Sequence, residues 1–175
     1  MQSINAVRRI DELGRIVIPK GIRNKLRINE GDRLEIGVNQ DGKIEIQKYN
    51  AFGNNFSSIN NIIHTLEKEI KKPILIISDY KILSRSKEVP YELLEGEDIE
   101  ESIYNKAFSY KMLSINNCSL VKLGRKYDFV LIPIVNEGEV LGSIIIFDTQ
   151  INEQDMRIVQ AFRNLITTIL KVWYT

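Results

Sequence analysis

Within the first 27 residues, Arg8, Arg9, Arg15, Lys20, Arg23, Lys25 and Arg27 stand against Asp11 and Glu12, seven basic groups to two acidic and a net of +5. The other 148 residues carry 17 basic and 21 acidic groups, a net of −4, within an overall charge of +1. Such segregation marks one end of the chain as a contact surface for something anionic. Arginine's planar fork can grip a phosphate bidentately or read the O6 and N7 edge of guanine, whereas lysine offers a point charge to a backbone phosphate. A basic face that is simply solvated is the competing reading. The stretch "VRRIDELGRIVIPKGIRNKL", however, interleaves its cations with the apolar residues of packed structure.

Other chemistry has little to stand on. One histidine, His64, and one cysteine, Cys118, exclude a Cys/His metal cluster and an internal disulfide within one chain. His64 falls in the polar phase of a helical pattern and reads as a surface residue. Cys118 opens a strand and reads as a small packed or edge residue. Glu95, Glu97, Asp98, Glu100 and Glu101 form an acidic run, which on a helix is a solvated face. There is no set of nucleophile, base and orienting group, no phosphate-cradling glycine loop and no metal-ligand spacing. The expectation is therefore no catalytic residue, no metal and no cofactor, hence no enzyme. No run of ~18 apolar residues and no signal-peptide pattern is readable, which gives the expectation of a cytoplasmic protein without a membrane partner. With 43% hydrophobic and 27% charged residues in 175, the composition is globular and long enough for two small domains.

Several short elements must position the cations. Residues 4–10 and the run "RIVI" read as strands separated by the "DELG" turn. Pro19 suits the first position of a helix, giving one or two turns over "PKGIRNKL" with Ile22 and Leu26 at i, i+4 spacing. "RLEIGV" and "KIEIQKY" alternate polar and apolar residues around Asp41-Gly42, a hairpin signal. Fifty residues bury too little apolar surface to stand alone. Two copies exchanging hairpins would close the open strand edges into one barrel.

After Tyr49 the composition changes to the polar "NAFGNNFSS". The division is residues 1–52, a linker at 53–56, and a second domain at 57–175. Ile59, Ile62, Ile63, Leu66 and Ile70 define a helix ending before Pro73. "PILIISD" and "YKILSRS" read as strands, and residues 91–110 as an acidic helical segment with Ile99, Ile103 and Ala107 inward. Strands follow in "MLSIN", "CSLVKLG", "DFVLIPIV" and "VLGSIIIFD", the last two joined by the turn "NEGE". A closing helix capped by Asn152, with Asp155 three residues on, carries Ile158, Val159, Phe162, Leu165, Ile166, Ile169, Leu170 and Trp173. Its wide stripe predicts pairing with the Ile59–Ile70 helix and with equivalent helices of another subunit. The second domain is thus α+β, an antiparallel sheet with flanking helices.

The run "RRIDELGRIVIPKGIR", followed by "LRINEGDRLEI" and "GKIEIQKY", resembles the AbrB-type swapped-hairpin family of bacterial transition-state regulators across residues 4–49. The resemblance implies an all-β dimeric barrel with a short helix, and "LIPIVNEGEVLGSIIIF" with the order of elements resembles the C-terminal GAF-type domain that some members carry. It implies a DNA-binding transcriptional regulator of sporulation genes in the cytoplasm, at the nucleoid. Its partners would be double-stranded DNA and further copies of itself, as a dimer of barrels and a tetramer through the C-terminal helices. A small-molecule effector would sit between sheet and inserted helix, in the region of residues 80–125.

The family's DNA-contacting arginines match Arg8, Arg15 and Arg23, with Arg9 and Lys20 in basic positions beside them. Where the family commonly has a second arginine after the position of Arg23, this chain has Asn24, with Lys25 next to it. Period-two alternation sends Arg8 and Arg9 to opposite faces, which makes Arg8 the groove residue and leaves Arg9 to bridge Asp11 or Glu12. The same barrel occurs in antitoxins, so an alternative reading is a protein-binding module that neutralises a toxin.

Overall fold

The computed structural model describes residues 6–170, which divide into two compact units at Asn50/Ala51. The first residues of the expected strand 4–10, and Trp173 of the expected apolar stripe, lie outside the described residues.

In the first unit, Pro19 sits at the position before helix α1 (Lys20–Lys25), its φ of −59° already helical. Its carbonyl accepts the amides of Ile22 and Arg23 at 2.9 and 3.0 Å. Strands β1 (Leu34–Val38) and β2 (Ile44–Lys48) pair antiparallel, with Ile36 opposite Ile46 and Val38 opposite Ile44. The loop closes on Asn39, whose Oδ1 accepts the amides of Asp41 and Lys43, both at 3.0 Å, while Gly42 takes the left-handed φ of +74°. The Asp41-Gly42 signal therefore belongs to a three-residue connection between Asn39 and Lys43.

The two strands expected before α1 are not formed. Residues 6–10 and 15–18 carry no ladder among the described residues. Ile28 alone is buried among the described residues of this unit. Val7, Ile10, Leu13, Val17, Ile36, Val38 and Ile44 are exposed, Val7 to 92% and Val38 to 73%.

The second unit is built on a five-stranded, wholly antiparallel sheet in the order β4-β3-β7-β6-β5. Its strands are β3 (Ile74–Ser78), β4 (Lys81–Arg85), β5 (Leu113–Ser119), β6 (Lys126–Asn136) and β7 (Glu139–Ile146). Helices α2 (Phe56–Ile70) and α4 (Glu153–Ile169) cover one face, where Ile59, Ile63, Leu66, Val159 and Ile166 meet Ile74, Ile76, Ile132, Ile144 and Ile146. On the other face, Ile103 and Ala107 of helix α3 (Glu101–Ala107), with loop residues Val89, Leu93, Leu120 and Val121, pack on Leu75, Ile77, Phe129, Leu131 and Ile145. Burial on both faces explains why the runs "ILII" and "IIIF" are continuously apolar rather than alternating.

Two local devices match the sequence reading. The Asn152 side chain accepts the Asp155 amide at 2.8 Å and caps α4. Glu137 and Gly138, both with positive φ, make the two-residue turn between β6 and β7.

Other expectations are corrected. The helix expected over 91–110 is confined to Glu101–Ala107. Upstream of it, the Gly96 amide bonds to the Ile82 carbonyl and the Glu97 carbonyl to the Ile82 amide, so residues 96–99 run along edge strand β4 instead of coiling. "MLSIN" and "CSLVKLG" are not two strands, because β5 runs through Leu113–Ser119 with a bulge at Asn117. Within the segment read as a linker, residues 53–56, a tight turn (Gly53–Asn55) leads into α2. Phe52 beside it is fully buried in the helical-face core. It packs at Gly142 of the central strand, where an added Cβ would lie 2.5 Å from the Ile77 carbonyl oxygen and 3.3 Å from the Phe52 ring.

Candidate nucleic-acid interface

Arg8 and Arg9 lie on the extended segment 6–10, Arg15 at the end of the "DELG" turn, and Lys20 and Arg23 on α1; all five side chains are exposed. Lys20 and Arg23, three apart on a helix, share one side of it. Asn24 and Lys25 are exposed beside them. Arg8 folds back locally, its Nη1 donating to the Val7 carbonyl at 2.9 Å.

The turn that separates these segments is organised by one carboxylate. Asp11 Oδ1 accepts the amides of Leu13 at 3.0 Å and Arg15 at 2.8 Å, and Oδ2 accepts Arg15 Nε at 2.8 Å. The main chain closes the same loop: the Asp11 amide donates to the Arg15 carbonyl and the Gly14 amide to the Asp11 carbonyl. Gly14 supplies the φ of +76° that the closure needs. The amide of Arg15, then its guanidinium, hold the Asp11 carboxyl below its ordinary value. Arg9 was the expected partner of Asp11 or Glu12; Asp11 pairs with Arg15 instead, because the turn brings position 15 back over position 11. Sequence spacing alone did not single out Asp11, although Asp followed three residues later by Gly is a turn signal.

In the second unit, the region expected to hold an effector, residues 80–125, is packed by its own side chains. The Tyr80 and Tyr104 rings stack with centroids 3.5 Å apart, and Phe108 follows at 4.3 Å from Tyr104. Arg85 donates to the carbonyls of Leu93 at 3.0 Å and Val89 at 2.6 Å, strapping the following loop. Tyr127 donates to Glu92, which also faces Arg125 at 3.6 Å. Burial and the neighbouring carboxylate push the Tyr127 phenol up to about 12.

The acidic run is engaged in local contacts: Glu95 accepts the Arg85 amide, Glu97 the Leu94 amide, and Asp98 faces Lys81 at 3.5 Å. His64 is half-buried rather than on the surface, with Nδ1 lacking a partner among the described residues. Cys118 is half-buried on β5. Among the described residues, no helix is long and apolar enough to cross a membrane.

Residues 7–53 match the family model for antidote-toxin recognition MazE, bacterial antitoxin. Over 152 residues the chain is 32% identical to Stage V sporulation protein T of Bacillus subtilis, an alignment covering 84% of this chain and 85% of that protein. Over 49 residues it is 53% identical to the transition state regulatory protein AbrB of the same organism, covering 28% of this chain and 50% of that one. Among solved structures, the GAF domain of an Acinetobacter phosphoenolpyruvate-protein phosphotransferase is 11% identical with a TM-score of 0.47, over 66% of this chain and 81% of that one. The chain belongs to the AbrB-type family that includes Stage V sporulation protein T.

Proposed function

We propose that the chain is a sequence-specific DNA-binding transcriptional regulator, acting on sporulation genes in the cytoplasm. The observation that carries this reading is the exposed cationic set Arg8, Arg9, Arg15, Lys20 and Arg23, in a unit whose apolar side chains are largely uncovered. In the proposed assembly, residues 1–52 of two chains exchange hairpins. The partner covers Val7, Ile10, Ile36, Val38 and Ile44, and the five cations double to ten on one face. The GAF-type domain of residues 57–175 joins dimers into a tetramer through α2 and α4, senses a small molecule, or does both. Its role is binding and assembly rather than catalysis.

If six to ten of the cations meet phosphates, affinity falls by roughly 10³ to 10⁵ between about 50 and 200 mM salt. The test is a salt titration of duplex binding by the full chain and by its Arg15→Ala and Arg23→Ala variants, with mass followed by light scattering. Weakened binding by both variants, with the fold retained, supports this DNA face. Unchanged binding in both removes it.

The match of residues 7–53 to the MazE antitoxin family model favours a second reading, in which the same unit recognises a toxin protein. Relief of toxicity by co-expression with the product of a neighbouring gene, without duplex binding, would select it. Against it, residues 51–170 are largely folded, with two buried cores rather than a disordered toxin-binding tail.

A further inference from the structure

We infer that Asp11 is a positioning residue for DNA recognition: its carboxylate fixes the Arg15 guanidinium so that the outer Nη pair faces the duplex already ordered. The inference rests on the DNA-binding reading above.

The geometry is specific. Asp11 uses both carboxylate oxygens, Oδ1 on the amides of Leu13 and Arg15 and Oδ2 on Arg15 Nε. One side chain therefore sets the backbone of the turn and the direction in which Arg15 leaves it. An arginine held through Nε keeps its two terminal nitrogens for the bidentate contact that a phosphate or a guanine edge requires. The Arg15 side chain remains 72% exposed, so the anchored guanidinium is accessible.

An acidic group within a DNA-binding face is otherwise a liability, because it repels phosphates and lowers the net positive charge. This gives the two roles of Asp11 opposite signs. If Asp11 is only a charge beside the site, its neutralisation strengthens binding to every duplex. If it positions Arg15, neutralisation frees a long side chain that binding must then immobilise, and the cost falls on the sequence to which Arg15 is fitted.

Asp11→Asn separates the functions within the residue. The amide Oδ1 still accepts from Leu13 and Arg15, so the turn is retained, while Nδ2 is a donor and cannot accept from Arg15 Nε. The experiment compares full-length wild type, Asp11→Asn, Arg15→Lys, Arg15→Ala and the double variant Asp11→Asn/Arg15→Lys. The probes are a duplex that the wild type selects from a randomised library and a shuffled duplex of the same composition.

The expected result is that Asp11→Asn lowers affinity for the selected duplex about threefold per chain, roughly tenfold for a dimer, from the entropy of one unanchored side chain. Affinity for the shuffled duplex holds or rises. Arg15→Lys abolishes the further effect of Asp11→Asn, because the lysine has no Nε fork to anchor. In the free protein, the Arg15 Nε–H resonance exchanges faster with solvent in Asp11→Asn than in wild type.

Tighter binding of both duplexes by Asp11→Asn overturns the inference, as does an equal loss on both, which would mark a structural role. Full affinity of Arg15→Ala for the selected duplex would remove instead the DNA-contact role of Arg15 on which the inference rests.

Discussion

Glu67 gives the sharpest test of how the second unit is held together. It is 8% exposed on α2, and its carboxylate bonds across to the segment following β4. Oε1 accepts the Ser86 hydroxyl and the Glu88 amide, the latter at 3.0 Å, and Oε2 accepts the Lys87 amide at 3.1 Å. Ser86 in turn accepts the Ile74 amide at 2.9 Å and donates its own amide to the Ile74 carbonyl, so the cluster reaches β3.

Glu67→Ala removes all three acceptor contacts. The Lys87 and Glu88 amides belong to exposed residues and regain water, at about 0.5–1 kcal/mol each, whereas Ser86 is 1% exposed and its charge-assisted bond is worth about 1.5–3 kcal/mol. The expected loss is about 2.5–5 kcal/mol. Glu67→Gln keeps one acceptor oxygen for Ser86 and Glu88 but turns a donor toward the Lys87 amide, for about 1–2 kcal/mol. The assay is urea unfolding of the full chain by far-ultraviolet circular dichroism, at one protein concentration because assembly shifts apparent stability. A midpoint shift at constant m, larger for Ala than for Gln, is expected. Losses below about 0.5 kcal/mol for both variants, the range of neutral surface changes, would refute the reasoning.

Three further outcomes are expected. The folded state favours the neutral Tyr127 phenol, so its contribution to stability is complete below pH 10.0 and is lost as pH rises toward about 12; ultraviolet titration should find a late phenol that is absent in Tyr127→Phe. Asn152→Ala removes the cap of α4 and should cost about 1 kcal/mol in the same unfolding assay, with Asn152→Asp close to wild type. Gly142→Ala forces a Cβ to within 2.5 Å of the Ile77 carbonyl oxygen and should cost about 3 kcal/mol, the upper part of the overpacking range, measured as a drop in thermal midpoint.

Legibility in the sequence followed the range of the forces involved. The α2 stripe, the Asn152 cap and the Glu137-Gly138 turn are decided by neighbours a few residues apart, and each was readable from spacing. Continuous apolar runs identified β3, β6 and β7 because both faces of the sheet are covered. Residues 91–100 suit an exposed helix by acidic composition, while the backbone of Gly96 and Glu97 is claimed by Ile82 on an edge strand more than ten residues away. His64 looked polar in phase, yet the helix packs closely enough to bury half of it. At the cationic face, arginine positions were legible from type and pattern. The partner of Asp11 was not, because a tight turn makes position 15, rather than adjacent position 9 on an extended segment, the one within reach.

Phe52 changes how the start of the second unit is held. The composition after Tyr49 reads as a polar linker. Instead, the chain enters the second unit by seating a fully buried ring on Gly142, at the middle strand of five, and turns at once into α2. A buried ring of this kind is an anchor. A pull on Phe52 is therefore borne by β7, at the centre of the sheet rather than at its rim.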